Sequence, residues 1–410
     1  MERGLSLGYG LERSQIADYA SDMDFRISDD QRAFVDTVRK ACQKDFKSRA
    51  VKYLDGTWPA ENMKQLADIG VLGMAVPQEY GGSGLGILDT VLVLEEIGKV
   101  CYVTAMAALG EVGVQTRVIS TYAPEAIKRK ILPRVASGEA ILAICMTEPN
   151  AGTDVPSYTT NTDVKGARVV VTGVKTLISR ADLAEMFVVF TRVNKVPGAK
   201  GIGCVLVPGG VKGLKVKSSF HTMGGEYLSE VVFDGVELPL ENLVIRDDGM
   251  KRLLSAFNTQ RCLNPAICLG LAEGALEEAV RYMRDRSAFG QKIGDFQGMR
   301  WKVSDMYMEI EAARGLLYRA AVSGDRFPDP TLAAMAKIYC NEMSIRVTSE
   351  AIQVHGGYGF TDEFPVSRYF RGTRYGSLGG GTTETLRNLV GKKLVEQMDL
   401  ATGVLGMGTF

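Results

Sequence analysis

The chain has 410 residues, zero formal net charge and a pI near 6.8, with 46% hydrophobic and 23% charged residues. The length calls for two or three packed units. The balanced charge excludes a basic nucleic-acid surface, and the lack of an apolar run of about 18 residues excludes a membrane span. Seven scattered cysteines without a CxxC pair, and only His221 and His355 as histidines, argue against a disulfide framework or a metal site. Reduced thiols suggest a cytoplasmic setting.

Residues 1–25 are expected to form an N-terminal extension with neither signal-peptide nor transit character. Helical periodicity follows over 26–138. DDQRAFVDTVRKACQKDF puts Phe34, Val35, Val38, Ala41 and Cys42 on one face, and Asp29 and Asp30 suit the helix start. GGSGLG at 81–86 is superficially similar to a dinucleotide loop, but no suitable strand precedes it, so it is expected to be a turn between helices. From 139 to 250 the texture changes to short β-branched runs split by turn residues: AILAICMT, ARVVVTGVKTLIS, MFVVFTRV, GIGCVLVP, LKVKSS and SEVVFDGVEL. That spacing predicts a small antiparallel barrel or sandwich. Long helical segments return over 251–398, and 399–410 is expected to be a loose tail. Helices, then strands, then helices exclude a doubly wound parallel sheet and give an α+β class.

Four motifs occur in order: MTEPNAGTD (Met146–Asp154), HTMGGEYLSEVVFDGVELPLENLV, RSAFGQKIGDFQGMRWKVSDM (Arg286–Met306), and QVHGGYGFTDEFPVSRYFRGTRYGSLGGGTTETLRNLVGKKL (Gln353–Leu394). Together they resemble the acyl-CoA dehydrogenase family of flavoproteins over about residues 26 to 398. The resemblance implies an N-terminal helical domain, a middle antiparallel β-barrel and a C-terminal four-helix bundle. It also implies FAD as cofactor, an acyl-CoA substrate, an electron-transferring flavoprotein as acceptor, and a homotetramer or dimer. Thr147, Thr153, Ser179, Arg286, Phe289, Gln297, Gln353, Gly356, Gly357, Thr382 and Glu384 match positions that hold FAD, with Arg286, Phe289 and Gln297 reaching it across a subunit contact. Arginine suits a pyrophosphate because its planar fork bonds two oxygens, and Thr382 opens a helix whose N–H groups favour phosphate. Thr153, Asn258, Arg261 and the Gly380 N–H match substrate contacts. Leu177 stands where the family usually has an aromatic residue.

The resemblance breaks at the chemistry. In most of the family a glutamate at the Gly380 position removes the substrate α-proton; glycine retains the backbone N–H that polarises the thioester but supplies no base. The family's second base position, just ahead of Arg261, is Gln260, also non-basic. Glu384, Tyr375, Cys262 and Glu111 are candidate replacements, whereas His355 is expected to be a packed turn residue. Four readings stay open. They are a dehydrogenase of an unusual acyl-CoA, alicyclic ones included, with a relocated base; a non-redox lyase such as a sulfinoacyl-CoA desulfinase; a catalytically silent subunit; and a flavin-dependent oxygenase. Against the lyase, Val103, Thr104 and Ala107 stand where relatives binding ω-acidic acyl groups place an arginine, with Lys99 a weak substitute.

Overall fold

The computed structural model describes residues 26–397 except Asp325; the expected extension and tail lie outside the described residues. The longer helices are α1 (Asp29–Ala41), α2 (Ala60–Ile69), α3 (Ile87–Gly98), α4 (Tyr102–Val112), α5 (Val114–Tyr122) and α6 (Glu125–Ala136). Ser28 caps α1 in a capping box with Gln31, its hydroxyl accepting the Gln31 N–H while the Gln31 side chain accepts the Ser28 N–H. Val35, Val38, Ala41 and Cys42 are buried as their spacing predicts, and Phe34 is half-buried. The 81–86 segment is a turn: Gly81 adopts φ +84° and Gly86 caps α3.

Eight strands follow: β1 (Leu142–Cys145), β2 (Asn161–Lys165), β3 (Arg168–Ser179), β4 (Met186–Val193), β5 (Ile202–Pro208), β6 (Leu214–His221), β7 (Tyr227–Pro239) and β8 (Leu243–Ile245). They form one sheet in the order β6-β7-β3-β2-β4-β5-β8, with β1 pairing β4 off that path. The middle domain is β, as expected, but the expected all-antiparallel pairing needs correction, because β1–β4 and β2–β4 are parallel. Both exceptions arise where the chain returns to the sheet after a long excursion rather than a hairpin. The sequence patterning also omitted β2 and β8. β2 is polar (NTDVK), and β8 is only three residues long.

The C-terminal part packs α7 (Gly249–Asp285), α8 (Gln297–Ala321) and α9 (Pro330–His355) with α11 (Thr383–Gln397); the short α10 (Pro365–Thr373) lies between the last two in sequence. α3 is buried nearly all round, too apolar to face water, and it lies directly on α7. The approach is closer than side chains allow: a Cβ at Gly270 would stand 2.1 Å from the Glu95 carbonyl oxygen, and one at Gly274 2.4 Å from that of Lys99.

This crossing also buries charge. Arg314 of α8 donates to Glu95 of α3 at 2.9 Å and Glu273 of α7 at 2.8 Å, and pairs with Glu311 on its own helix; Lys99 meets Glu273 at 2.6 Å. Burial pushes the Glu95 carboxyl up to about 7, against the pull of Arg314. Removing one member of such a set leaves uncompensated buried charge. Arg314→Met is therefore expected to lower unfolding free energy by about 3–5 kcal/mol, measured as a shift in the urea midpoint, whereas Arg168→Met, in an exposed pair with Glu237, should change it by less than about 1 kcal/mol.

Candidate active site

All three parts of the chain wall one cavity of about 730 Å³. α4 contributes Tyr102 and Gly110, the segment after β1 contributes Thr147 and Thr153, and the end of β3 contributes Leu177, Ser179 and Arg180. The β6–β7 hairpin adds Gly224 and Glu226, α7 adds Gln260 and Arg261, and the loop before α11 adds Tyr375 and Gly379–Thr382.

Two buried lysines fix two of these backbone segments. The Lys175 side chain is fully buried, and its ammonium donates to the Met146 carbonyl at 2.8 Å and to Glu148 at 2.9 Å, 4.0 Å over the Tyr158 ring. Glu148 also accepts from Thr159 N–H and hydroxyl, both 2.7 Å, and from Thr160 N–H at 3.0 Å. Burial pushes the Glu148 carboxyl up, but the Lys175 charge and these donors prevail and hold it at about 2. Between the two anchors sits Thr147, whose carbonyl accepts the Thr176 N–H at 2.9 Å. Beside it the ladder is broken, and Leu177 and Arg180 adopt left-handed φ of 57° and 60°, a conformation costly for side chains of this size. The break turns Leu177 toward the cavity, 51% exposed.

Lys337 of α9 does the same for the glycine loop, donating to the carbonyls of Gly376 at 2.8 Å and Gly381 at 2.9 Å; Asn341 Nδ2 also donates to Gly376 O at 2.7 Å. Burial pushes the Lys337 ammonium down to about 8. Gly380 adopts φ +75°, and none of the loop's backbone–backbone hydrogen bonds uses its N–H. At Gly379 a Cβ would stand 2.3 Å from Tyr375 Cζ, so that ring fills the space a side chain needs. Thr382 accepts the Thr385 N–H at 3.3 Å and caps α11.

Of the residues read from sequence, Thr147, Thr153, Ser179, Gln260, Arg261, Gly380 and Thr382 line this cavity. Asn258 lies behind it, accepting from Arg261 Nη1 at 2.8 Å. The Arg261 Nε is buried without a partner, and burial pushes the guanidinium down to about 10. Arg286, Phe289, Gln353, Gly356 and Gly357 line a separate cleft of about 720 Å³ that shares no residue with the first. Phe289 is 96% exposed there, and Gln297 is exposed at the start of α8. Glu384 is exposed in the first turn of α11, outside the cavity lining. His355 is buried at the end of α9, 4.4 Å from the Tyr282 ring.

The candidate bases fare unevenly. Cys262 is buried off the cavity, and burial pushes its thiol up to about 12. Glu111 is buried off the lining, accepts the Leu142 N–H, meets Arg180 at 3.6 Å, and is pushed up to about 7 by burial. Tyr375 does line the cavity, but burial raises its phenol further from ionising. Lys99 is spent on Glu96 and Glu273. The sequence reading missed Tyr102, Arg180, Glu226 and Lys337. Glu226 sits inside the quoted HTMGGEYLSE run, but there it reads as an ordinary hairpin residue.

The chain matches the descriptions "Acyl-CoA dehydrogenase, N-terminal domain" over residues 28–139, "Acyl-CoA dehydrogenase, middle domain" over 143–236 and "Acyl-CoA dehydrogenase, C-terminal domain" over 247–395. It is similar to 3-sulfinopropanoyl-CoA desulfinase of Advenella mimigardefordensis (36% identity, covering 91% of this chain and 95% of the relative). It is also similar to cyclohex-1-ene-1-carbonyl-CoA dehydrogenase of Syntrophus aciditrophicus (32%, 90% and 91%). Among solved structures, butyryl-CoA dehydrogenase of Megasphaera elsdenii superposes with a TM-score of 0.86 at 31% identity, covering 91% of this chain and 100% of that one.

The Glu148 carboxyl, depressed to about 2 from an unfolded value near 4.3, contributes stability that is fully present above about pH 4 and is lost as pH falls through 2. Glu148→Gln should therefore flatten the acid limb of a urea-stability profile between about pH 4 and pH 2; a limb as steep as in the parent protein would remove this pair from the account.

Proposed function

The chain belongs to the acyl-CoA dehydrogenase family of FAD-dependent oxidoreductases acting on CH–CH groups, and on that premise we propose that it dehydrogenates an unusual acyl-CoA without a base at either usual position. The observation that carries this reading is the pairing, in one cavity, of an uncommitted Gly380 N–H with the non-basic Gln260. The similarity to a cyclohexene-carbonyl-CoA dehydrogenase supports an alicyclic acyl group, and Leu177 in place of an aromatic wall leaves room for one.

The cavity fits the cofactor: Thr147, Ser179 and Thr382 line it, and so does Arg261, whose buried Nε has no partner. When bound, FAD supplies the hydride acceptor. Thr147, Thr153, Ser179 and Thr382 would hold it, with Glu384 two residues after Thr382 in the first turn of α11. The second cleft, with Arg286, Phe289, Gln353, Gly356 and Gly357, would serve the FAD of a neighbouring subunit in a homotetramer, with Gln297 next to its lining residue Phe296. The Gly380 N–H donates to the thioester carbonyl, stabilising charge as the α-proton leaves. Arg261, oriented by Asn258, binds the pantetheine and phosphates. An electron-transferring flavoprotein is the proposed acceptor and the cytoplasm the proposed location.

A non-redox lyase is the second reading, favoured by the similarity to a 3-sulfinopropanoyl-CoA desulfinase. A C–S bond that breaks with the sulfur group departing needs no base at position 380.

Anaerobic mixing of the FAD-loaded protein with a panel of acyl-CoAs separates the readings. Dehydrogenation predicts loss of flavin absorbance near 450 nm with saturated or alicyclic esters. Sulfite release without bleaching would instead establish the lyase, and tight CoA-ester binding with neither would mark a silent subunit. Gly380→Glu tests the site itself. Its Cβ would meet Lys337 Cε at 3.4 Å, Gln260 Cγ at 3.5 Å and Phe257 Cε1 at 3.6 Å, all ordinary contacts, so there is room for the first carbon, at about 1–2 kcal/mol for the left-handed backbone. The variant should gain bleaching with butanoyl-CoA; a folded, FAD-loaded variant reduced by no straight-chain ester would show that more than the base differs.

A further inference from the structure

We propose that Glu226, at the β6–β7 hairpin, is the proton acceptor of this site. Among the described residues it is the one carboxylate that lines the cavity holding Gly380 and Gln260. This assignment rests on the dehydrogenase reading and deepens it.

The hairpin is built to hold that side chain still. Thr222 N–H donates to the Glu226 carbonyl at 2.9 Å, and the Glu226 N–H donates back to the Thr222 hydroxyl at 3.2 Å. The tip is pressed onto the N-terminal helical part: a Cβ at Gly225 would stand 2.8 Å from Leu54 Cα, and one at Gly224 2.4 Å from the Tyr102 ring. Tyr102 itself is wedged between this hairpin and Gly372 at the end of α10, where a Cβ would meet its ring at 3.0 Å. Its hydroxyl donates to Glu226 Oε1 at 3.1 Å. That bond orients the carboxylate at the cavity wall and occupies Oε1.

The groups around Glu226 come from every neighbouring element. Tyr102 is on α4, Arg180 follows β3, and Tyr375 follows α10 and lies beside Gln260; Glu111 stands behind Arg180. Burial raises the Glu226 carboxyl above the ordinary carboxylate range, with the Tyr102 hydroxyl and the Arg180 charge pulling against it. A raised carboxylate is a stronger base, nearer to the operating pH at which proton transfer is most effective. In the step proposed, the substrate Cα–H bond breaks and its proton forms an O–H bond on Glu226. The electron pair left behind would become the Cα=Cβ bond as the β-hydrogen departed as hydride, for which FAD held by Thr147, Thr153, Ser179 and Thr382 would supply the two-electron acceptor. Where no hydride leaves, the same proton transfer is reversible and exchanges the α-hydrogen with solvent.

The test incubates FAD-loaded protein with butanoyl-CoA and with cyclohexanecarbonyl-CoA in deuterium oxide and follows α-deuterium by mass spectrometry across pH. Glu226→Gln should slow exchange by about 10²–10⁴-fold while binding both esters with unchanged affinity. Tyr102→Phe, which removes the donor to the carboxylate and so raises its pKa, should move the acid limb of the exchange profile to higher pH. Exchange at the parent rate in Glu226→Gln, or an unmoved limb in Tyr102→Phe, overturns the assignment. Should Glu226→Gln fail to hold FAD, the Tyr102→Phe limb decides alone. A parent protein that bleaches with an ester while Glu226→Gln bleaches equally fast overturns Glu226 only; a parent that neither exchanges nor bleaches with any ester overturns the dehydrogenase reading and the assignment with it.

Discussion

The site depends on one buried ammonium. Lys337 has its charge in the apolar interior of the C-terminal helices, where burial alone disfavours it. Its two hydrogen bonds to Gly376 and Gly381 carbonyls compensate, and Asn341 shares the first. Those bonds bracket Gly379 and Gly380, so the loop is tied at both ends and its middle is free to present an N–H to the cavity. A side chain at Gly379 would collide with Tyr375, and one at Gly380 would adopt a left-handed φ. Lysine rather than a hydrophobe at position 337 is explicable only by what it holds.

Lys175 works by the same principle on the opposite wall. It holds the segment after β1 at the Met146 carbonyl, next to Thr147, which lines the same cavity as Ser179 and the glycine loop. Between the two walls, the acid–base groups are distributed across domains rather than placed on one helix. Tyr102, Glu226 and Tyr375 each come from a different part of the chain, and close contacts at Gly224 and Gly372 wedge them together. Proton transfer in such a site depends on domain docking. The α3–α7 crossing and its Arg314 cluster therefore sit upstream of the chemistry even though they do not touch it.

Much of this was legible in the sequence. Helical and strand textures located the three parts, and four motifs fixed the family and the positions around Gly380. The motif residues then split between two clefts, which the order of residues alone does not reveal. What the sequence hid were residues whose roles come from tertiary placement. Lys175 and Lys337 look like surface lysines in otherwise ordinary strand and helix patterns. Glu226 looks like a solvated hairpin residue until Tyr102 and Arg180, distant in sequence, close around it. Strand β2 was missed for a related reason: its polar Asn161 and Thr162 are buried, with Thr162 bonding Thr191 at 2.8 Å and Asn161 Oδ1 accepting the Lys195 N–H at 2.8 Å. Periodicity reads apolar burial only.

The most direct test is a crystal structure of the FAD-loaded protein with 2,2-dimethylpropanoyl-CoA, a thioester with no α-hydrogen to lose. The account predicts the thioester oxygen within hydrogen-bonding reach of the Gly380 N–H, about 2.7–3.2 Å, and the free oxygen of Glu226 facing the quaternary α-carbon with no side chain between. A thioester oxygen bound away from the glycine loop, or an α-carbon screened from Glu226, would contradict it.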